Sequence, residues 1–202
     1  MNNWDEHWPT VKKGSLLTKI YHRSAFNAYK RLLDGKLLKP DIFEIGCGTG
    51  ELSARLVERY GGSVTVLDSS SEALKIAEGN FKARNIQAKI IKSDIFDFSS
   101  DKKYDLVHSE GLIEHFIGEK QEEMVERHRM LARKGGYVLI SVPMSTWYYR
   151  LWRSWKEKRG DWHFGYEMPM TTEELRKVME SAGLEVISTL KAGRFSFALA
   201  KA

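Results

Sequence analysis

The sequence predicts an α/β protein built on a doubly wound, mostly parallel sheet whose last two strands form an antiparallel hairpin. Three observations carry this. A short apolar run, Asp41 to Ile45, empties into Gly46-Cys47-Gly48-Thr49-Gly50 and then into the helical pattern Glu51 to Val57. Downstream, short apolar or β-branched runs alternate with helical patterns over short links, as in a parallel sheet covered on both faces. The last two strands are separated only by a turn around Ala192-Gly193. That link is too short for a crossover, so the two should pair antiparallel.

Before the first strand, Phe26, Tyr29, Leu33 and Leu37 mark an apolar stripe and predict a helix over Ser24 to Leu38. Ser63 to Leu67 reads as the second strand, ending at Asp68; Ser69-Ser70-Ser71 then offer caps for a helix through Ala77. Lys89-Ile90-Ile91 reads as the third strand, ending near Asp94, and Tyr104 to Ser109 as the fourth. Lys120 to Arg133 is a charged amphipathic helix with Met124, His128 and Leu131 near one face, and Gly135-Gly136 is expected to break it. Tyr137 to Val142 is the fifth strand, closed by Pro143. Thr171-Thr172-Glu173-Glu174 has the form of a capping box opening a helix to about Ser181, which Gly183 ends. Leu184 to Ser188 and Phe195 to Ala200 are the final strands.

At 202 residues the chain is long enough for one domain with its own core, and residues 1–202 are read as that single domain. One cysteine cannot build an intramolecular disulfide framework. With no signal-peptide pattern and no apolar run long enough to span a bilayer, the expectation is a cytoplasmic protein without integral membrane association. A net charge of +5 tolerates an acidic partner without demanding one.

The glycine spacing narrows the ligand. A dinucleotide fingerprint would place its third glycine where Glu51 stands, whereas glycine falls at Gly50. No Gly-Lys-Ser/Thr follows, which excludes a P-loop. Glu44 and Glu51 flank the turn and no Lys or Arg lies within it, so a pyrophosphate is disfavoured. A ligand with positive charge and no phosphate, such as S-adenosylmethionine with its sulfonium and ammonium, suits the site better.

Glu44-Ile45-Gly46-Cys47-Gly48-Thr49-Gly50 resembles motif I of the class I S-adenosylmethionine-dependent methyltransferases. The resemblance runs from about Asp41 to the C-terminus. It implies a Rossmann-like, seven-stranded sheet of order 3-2-1-4-5-7-6 with strand 7 antiparallel. It also implies a methyltransferase that takes S-adenosylmethionine and releases S-adenosylhomocysteine. Glu44, Gly46, Cys47, Gly48 and Gly50 would form the turn under the cofactor, with Cys47 a small spacer. Asp68, about twenty residues on at a strand end, stands where a ribose-binding acid should, followed by Ser69. The resemblance further assigns Asp94 to the adenine amino group and Ile95 to the ring. It places Ser109, Glu110 and Gly111 beside the methionine portion. Glu114-His115 resembles a pair common in the small-molecule branch, and His115 is the candidate general base. His163 and Glu167 are further candidates for that role, and no metal-ligand set is read.

Two flanking regions should decide the substrate. Residues 1–40 form an expected N-terminal helical cover, with Tyr21 or Arg23 near the cofactor carboxylate. Residues 143–169 hold four of the six tryptophans, interleaved with Arg150, Arg153, Lys156, Lys158 and Arg159. This insertion is expected to cap the substrate through Tyr21 from the N-terminal side and Trp147, Tyr148, Trp152, His163 and Tyr166 from its own. The expected reaction is in-line methyl transfer to an O, N, S or C nucleophile of a small molecule. Two alternatives stay open: an RNA methyltransferase using the basic aromatic window 147–166, and a cofactor-binding regulatory or interaction subunit. The acceptor and the oligomeric state are not legible from the sequence.

Overall fold

The computed structural model describes residues 4–7, 16–160, 162 and 165–202. Seven strands form one sheet: β1 (Asp41–Ile45), β2 (Ser63–Asp68), β3 (Ala88–Lys92), β4 (Tyr104–Glu110), β5 (Ala132–Pro143), β6 (Glu185–Ala192) and β7 (Phe195–Lys201). Their order is β3-β2-β1-β4-β5-β7-β6. The pairs β1–β2, β1–β4, β2–β3 and β4–β5 are parallel, while β7 runs antiparallel to both β5 and β6. The sheet is the one expected.

Alternation along each strand divides the core in two. Phe43 and Ile45 of β1 join Val107, Val138 and Ile140 under α5 (Glu119–Leu131) and α7 (Thr172–Ser181), represented by Met124, Leu131, Leu175 and Met179. Ile42 of β1, Val64, Val66, Leu106 and Leu139 face the other way. They lie under α2 (Leu16–Leu33), α3 (Glu51–Tyr60) and α4 (Ser71–Ala83), through Tyr29, Leu33, Leu56 and Phe81. Two further helices, α1 (Trp4–His7) and α6 (Trp147–Lys158), lie outside these layers.

Three boundaries differ from expectation. The helix expected over Ser24 to Leu38 spans Leu16–Leu33 instead. Its last helical bond joins Asp34 N–H to the Lys30 carbonyl, and Lys36 N–H then closes a tight turn on Leu33. The helix expected over Lys120 to Arg133 ends at Leu131. Gly135-Gly136 is not its stop but part of β5, where Tyr104 pairs with Ala132 and the register then jumps to Leu106 opposite Tyr137. The C-terminal hairpin is longer than read, because β6 runs on to Ala192 and leaves only Gly193-Arg194 as the loop. Among the described residues no helix is long and apolar enough to cross a membrane.

Candidate functional site

The carboxyl ends of β1, β2 and β4 open onto one cleft, as open parallel sheets require. Ile45 hands over to the glycine turn, whose shape rests on two backbone positions that other residues would not accept. Gly46 has φ +65°, and a Cβ there would stand 2.9 Å from a Leu112 methyl. Gly50 has φ +63°, and a Cβ there would meet the Phe81 ring at 2.9 Å and Ala77 at 3.1 Å. The turn is thus pressed between the chain after β4 and the inner face of α4. The Gly46 and Cys47 N–H groups donate to the Leu67 carbonyl at 2.8 and 3.1 Å, tying the turn to the end of β2.

Asp68 is buried at the end of β2. One of its carboxylate oxygens accepts the Gly48 N–H at 2.8 Å and the other the Ser70 N–H at 2.9 Å. Each oxygen keeps a lone pair for a further donor. Burial raises its pKa, opposed by the N–H groups of Ser70, Gly48 and Ser69. The helix cap is carried by Ser70, which accepts from Ala73 N–H at 3.2 Å. Asp68 is therefore spared the capping role that competes with ligand binding at such a position.

The cleft has two adjoining halves that share Trp4, Gly46, Gly111 and His115. One half, a cavity of about 440 Å³, is lined by Asp68, Ser69, Asp94, Ile95, Phe96 and Leu112 among others. Asp94 accepts the Phe96 N–H at 3.0 Å, which shapes the turn after β3. The other half, about 420 Å³, takes in Glu44, the glycine turn, Glu110, Glu114, Tyr149, Trp152 and Glu167. Together the halves gather Glu44, Gly46, Cys47, Gly48, Asp68, Ser69, Asp94, Ile95, Glu110 and Gly111 from the expected set. Gly50 stands behind the turn against Phe81, and Ser109 is not among the lining residues. The Ser109 hydroxyl lies in the core, 2.9 Å from His128 Nε2.

Glu44 is 3% exposed, with one carboxylate oxygen 3.8 Å from His108 Nδ1 and the other without a hydrogen-bond partner among the described residues. Burial raises its pKa well above the usual range, a raise that Glu110 and Asp68 reinforce. His108 cannot neutralise it as a cation, since burial and then His128 depress the His108 pKa to about 3. Glu51 differs from expectation. It is held by Arg84 at 2.7 Å and Arg55 at 2.7 Å, so its charge is already answered from α3 and the end of α4. The cationic-ligand argument then rests on Glu44 and the carboxylates across the cleft.

Glu114 and His115 sit on a 3-10 turn, Ile113–His115, directly after β4. The Gln121 amide donates to the Ile113 and Phe116 carbonyls, both at 3.0 Å, and holds that turn. The 143–169 segment packs onto it. Met168 N–H donates to the Glu114 carbonyl at 2.8 Å, and His115 Nδ1 lies 2.7 Å from the Tyr166 carbonyl. A carbonyl only accepts, so Nδ1 carries the proton and Nε2 keeps its lone pair. That nitrogen is 4.0 Å from Glu114 Oε1. Burial depresses the His115 pKa, so the ring is neutral at physiological pH.

The insertion is a helix, α6, capped by Thr146, whose hydroxyl accepts from Tyr149 N–H at 3.3 Å. Its inner side reaches the cleft through Tyr149 and Trp152. The Tyr149 hydroxyl donates to Glu167, and Arg153 donates to the Glu167 carbonyl while pairing with Glu157 at 2.7 Å. Trp147 does not line the cleft and is 74% exposed; Tyr166 lines the Asp68 half. Tyr21 lies in α2 and Tyr148 in α6, but their side chains, like all of His163, fall outside the described residues. Trp4 and Asp5 were not expected at the site. Trp4 packs edge-on against the His115 ring with centroids 4.9 Å apart, while Asp5 accepts from the Ser70 hydroxyl at 2.5 Å. Nothing in the spacing of residues 4 and 5 signals a partner more than sixty positions away.

A family model described as "Methyltransferase domain" matches residues 42–136. Among sequence relatives, a malonyl-[acyl-carrier protein] O-methyltransferase of Ilyobacter polytropus is 26% identical over 141 residues, covering 69% of this chain and 53% of the relative. A ubiquinone biosynthesis O-methyltransferase of Rickettsia akari is 27% identical over 106 residues, covering 52% of this chain and 41% of the relative. The chain thus spans about half the length of these curated relatives or less. In fold it is similar to the crystal structure of a magnesium protoporphyrin IX methyltransferase from Synechocystis PCC 6803 with bound SAH. The TM-score is 0.73 at 19% identity, covering 97% of this chain and 91% of that one.

Proposed function

This chain belongs to the class I S-adenosylmethionine-dependent methyltransferase superfamily, and from that premise we propose that it methylates a small molecule held under α6. The observation that carries the reading is the meeting of the glycine turn, Asp68 and Asp94 in one cleft with the buried Glu44, one of whose carboxylate oxygens has no hydrogen-bond partner among the described residues. The residues present fit S-adenosylmethionine. Asp68 offers acceptors for two ribose hydroxyls, and Asp94 and Ile95 flank space for the adenine. Glu44, with Glu110 on the same wall, receives the cationic end. When bound, that molecule supplies a methyl group on a sulfonium: an acceptor lone pair forms the new bond to carbon, the C–S pair stays on sulfur, and S-adenosylhomocysteine leaves.

What the protein contributes is orientation and exclusion of water. Tyr149 and Trp152 wall the acceptor side, and Trp4 closes over the junction of the two halves. In this reading residues 143–169 act as the substrate cap and the N-terminal helices as a cover. The acceptor's proton needs a place to go when the nucleophile is protonated, and the Nε2 lone pair of His115 faces that side of the cleft. The inward commitment of Trp152 and Arg153 favours a small acceptor over RNA, because the stacking and cationic groups nearest the site are already engaged.

Calorimetric titration with S-adenosylhomocysteine tests the cofactor half. Asp68→Ala should bind it roughly 30-fold more weakly than wild type, the loss of charged hydrogen bonds worth about 2 kcal/mol; equal affinity sinks the assignment. Labelled-methyl transfer into metabolite, lipid and RNA fractions tests the acceptor half, with label in RNA alone overturning the small-molecule reading.

A further inference from the structure

We propose that Glu114, His115 and Glu167 form a binding site for a divalent metal ion of the zinc type, on the acceptor side of the cleft. The proposal rests on the methyl-transfer reading only for its purpose, not for the site itself. One ligand atom from each of the three side chains lies within 4.8 Å of the other two. Two segments more than fifty residues apart in sequence build the cluster, joined by the Met168 N–H to the Glu114 carbonyl and by the His115 Nδ1–H to the Tyr166 carbonyl.

Three features separate this cluster from a chance gathering of acids. Glu114 is 1% exposed, lines the cleft, and has one carboxylate oxygen with no hydrogen-bond partner among the described residues. A buried carboxylate oxygen left unanswered is unfavourable unless the group takes up a proton or a cation meets it, and a cation is the relief that restores its charge. His115 donates its Nδ1–H to a backbone carbonyl and turns the Nε2 lone pair into the cluster. That is the arrangement by which proteins orient a ligating histidine. Glu167 is in turn fixed by the Tyr149 hydroxyl, so the outer partners of both ligands are in place.

One imidazole and two carboxylates with an open side supply N and O donors of the kinds zinc takes, and match the count of a catalytic site, in which three protein ligands leave a fourth position for water or substrate. Ligand distances of roughly 2.0–2.2 Å would bring the donor atoms to roughly 3.4 Å from one another. The 4.0 Å from Nε2 to Glu114 Oε1 must therefore close by about half an ångström. The widest donor separations in the cluster, up to 4.8 Å, must close by more than an ångström. Burial, and then Glu167 and Glu110, raise the Glu114 pKa, in keeping with a group that lacks its counter-charge. An ion there would occupy the His115 Nε2 lone pair and so replace it as a base, instead holding an acceptor hydroxyl and lowering its pKa, which favours a hydroxyl acceptor over an amine.

The test uses the full chain stripped with a chelator and titrated with Zn2+ against a chromophoric competitor, with Co2+ absorption as a second readout. Wild type should bind one equivalent. Glu167→Gln and His115→Ala should each weaken binding at least 100-fold, and Tyr149→Phe, which removes only an outer partner, by roughly 10-fold or more. Circular dichroism confirms folding; should Glu114→Gln fail to fold, Glu167→Gln still decides. Absence of stoichiometric Zn2+ binding in folded wild type, or unchanged affinity in both ligand variants, overturns the proposal. S-adenosylhomocysteine is titrated into the same samples. Zinc bound without it defeats the cofactor reading alone, and the reverse defeats the metal site alone.

Discussion

At the scale of single residues, the site is a set of side chains whose neighbours leave one valence open. Asp68 spends one lone pair of each oxygen on the backbone, Glu44 keeps an oxygen unmatched, and His115 keeps Nε2. The glycines act by what they lack. Gly50→Ala would force a Cβ into a left-handed residue and against the Phe81 ring at 2.9 Å. The substitution should destabilise the fold by more than about 1 kcal/mol, read as a lower urea midpoint at unchanged slope; an unchanged midpoint contradicts the tight turn. That Asp68 and Asp94 reach the cleft was legible in the sequence, because residues following strand ends in a parallel sheet line its mouth. The partnership of Glu167 with Glu114 was not, because it depends on how the 143–169 segment folds back over β4. No local period encodes that approach. Glu51 misled for the same reason: its neutralising Arg84 lies at the far end of α4.

At the scale of elements, legibility follows whether the signal is local. The capping box of α7 is complete, with Glu174 N–H donating to Thr171 Oγ at 3.2 Å and Thr171 N–H to the Glu174 carboxylate at 2.7 Å. Thr171→Ala should lower stability by about 1 kcal/mol. Chemical denaturation would show it, and a Thr171→Ser variant should regain most of the loss. Adjacent to α7, the Ser196 hydroxyl bonds the Met170 carbonyl at 2.8 Å, so the start of this helix is also fastened to the sheet. A midpoint insensitive to both substitutions would mean that this tether, not the cap, holds the helix start. The helix stop expected at Gly135-Gly136 failed because a β-bulge uses the same residues as a helix end; the pairing of Ala132 with Tyr104 decides between them and is non-local. The sequence shows 143–169 as a cluster of aromatic and basic residues, not as the helix Trp147–Lys158 that it contains. Nor was it legible which of them face the cleft.

At the scale of the whole molecule, buried ionisable groups pull stability in opposite directions with pH. His108 and His128 are buried, and desolvation lowers their pKa values to about 3 and about 4 from 6.5. Their folded state resists protonation, so their contribution is full above 6.5 and falls as pH drops towards those values, by about 1.4 kcal/mol per pH unit for each. Glu44 and Glu114 behave inversely. Burial raises their pKa values well above 4.5, so their contribution is full below 4.5 and is lost as pH rises through the raised values. Between 4.5 and 6.5 the two sets oppose each other; above 6.5 the histidine contribution is flat and the carboxyls act alone. Chelator-treated protein without ligand should therefore lose thermal stability as pH rises above 6.5 towards the raised carboxyl pKa values. Glu44→Gln, which removes one of the responsible groups without changing its shape, should flatten that decline. A melting temperature that climbs over the same interval, or a decline untouched by Glu44→Gln, would show that these carboxyls are not held neutral in the fold, and with that the need for a cation in the cleft would disappear.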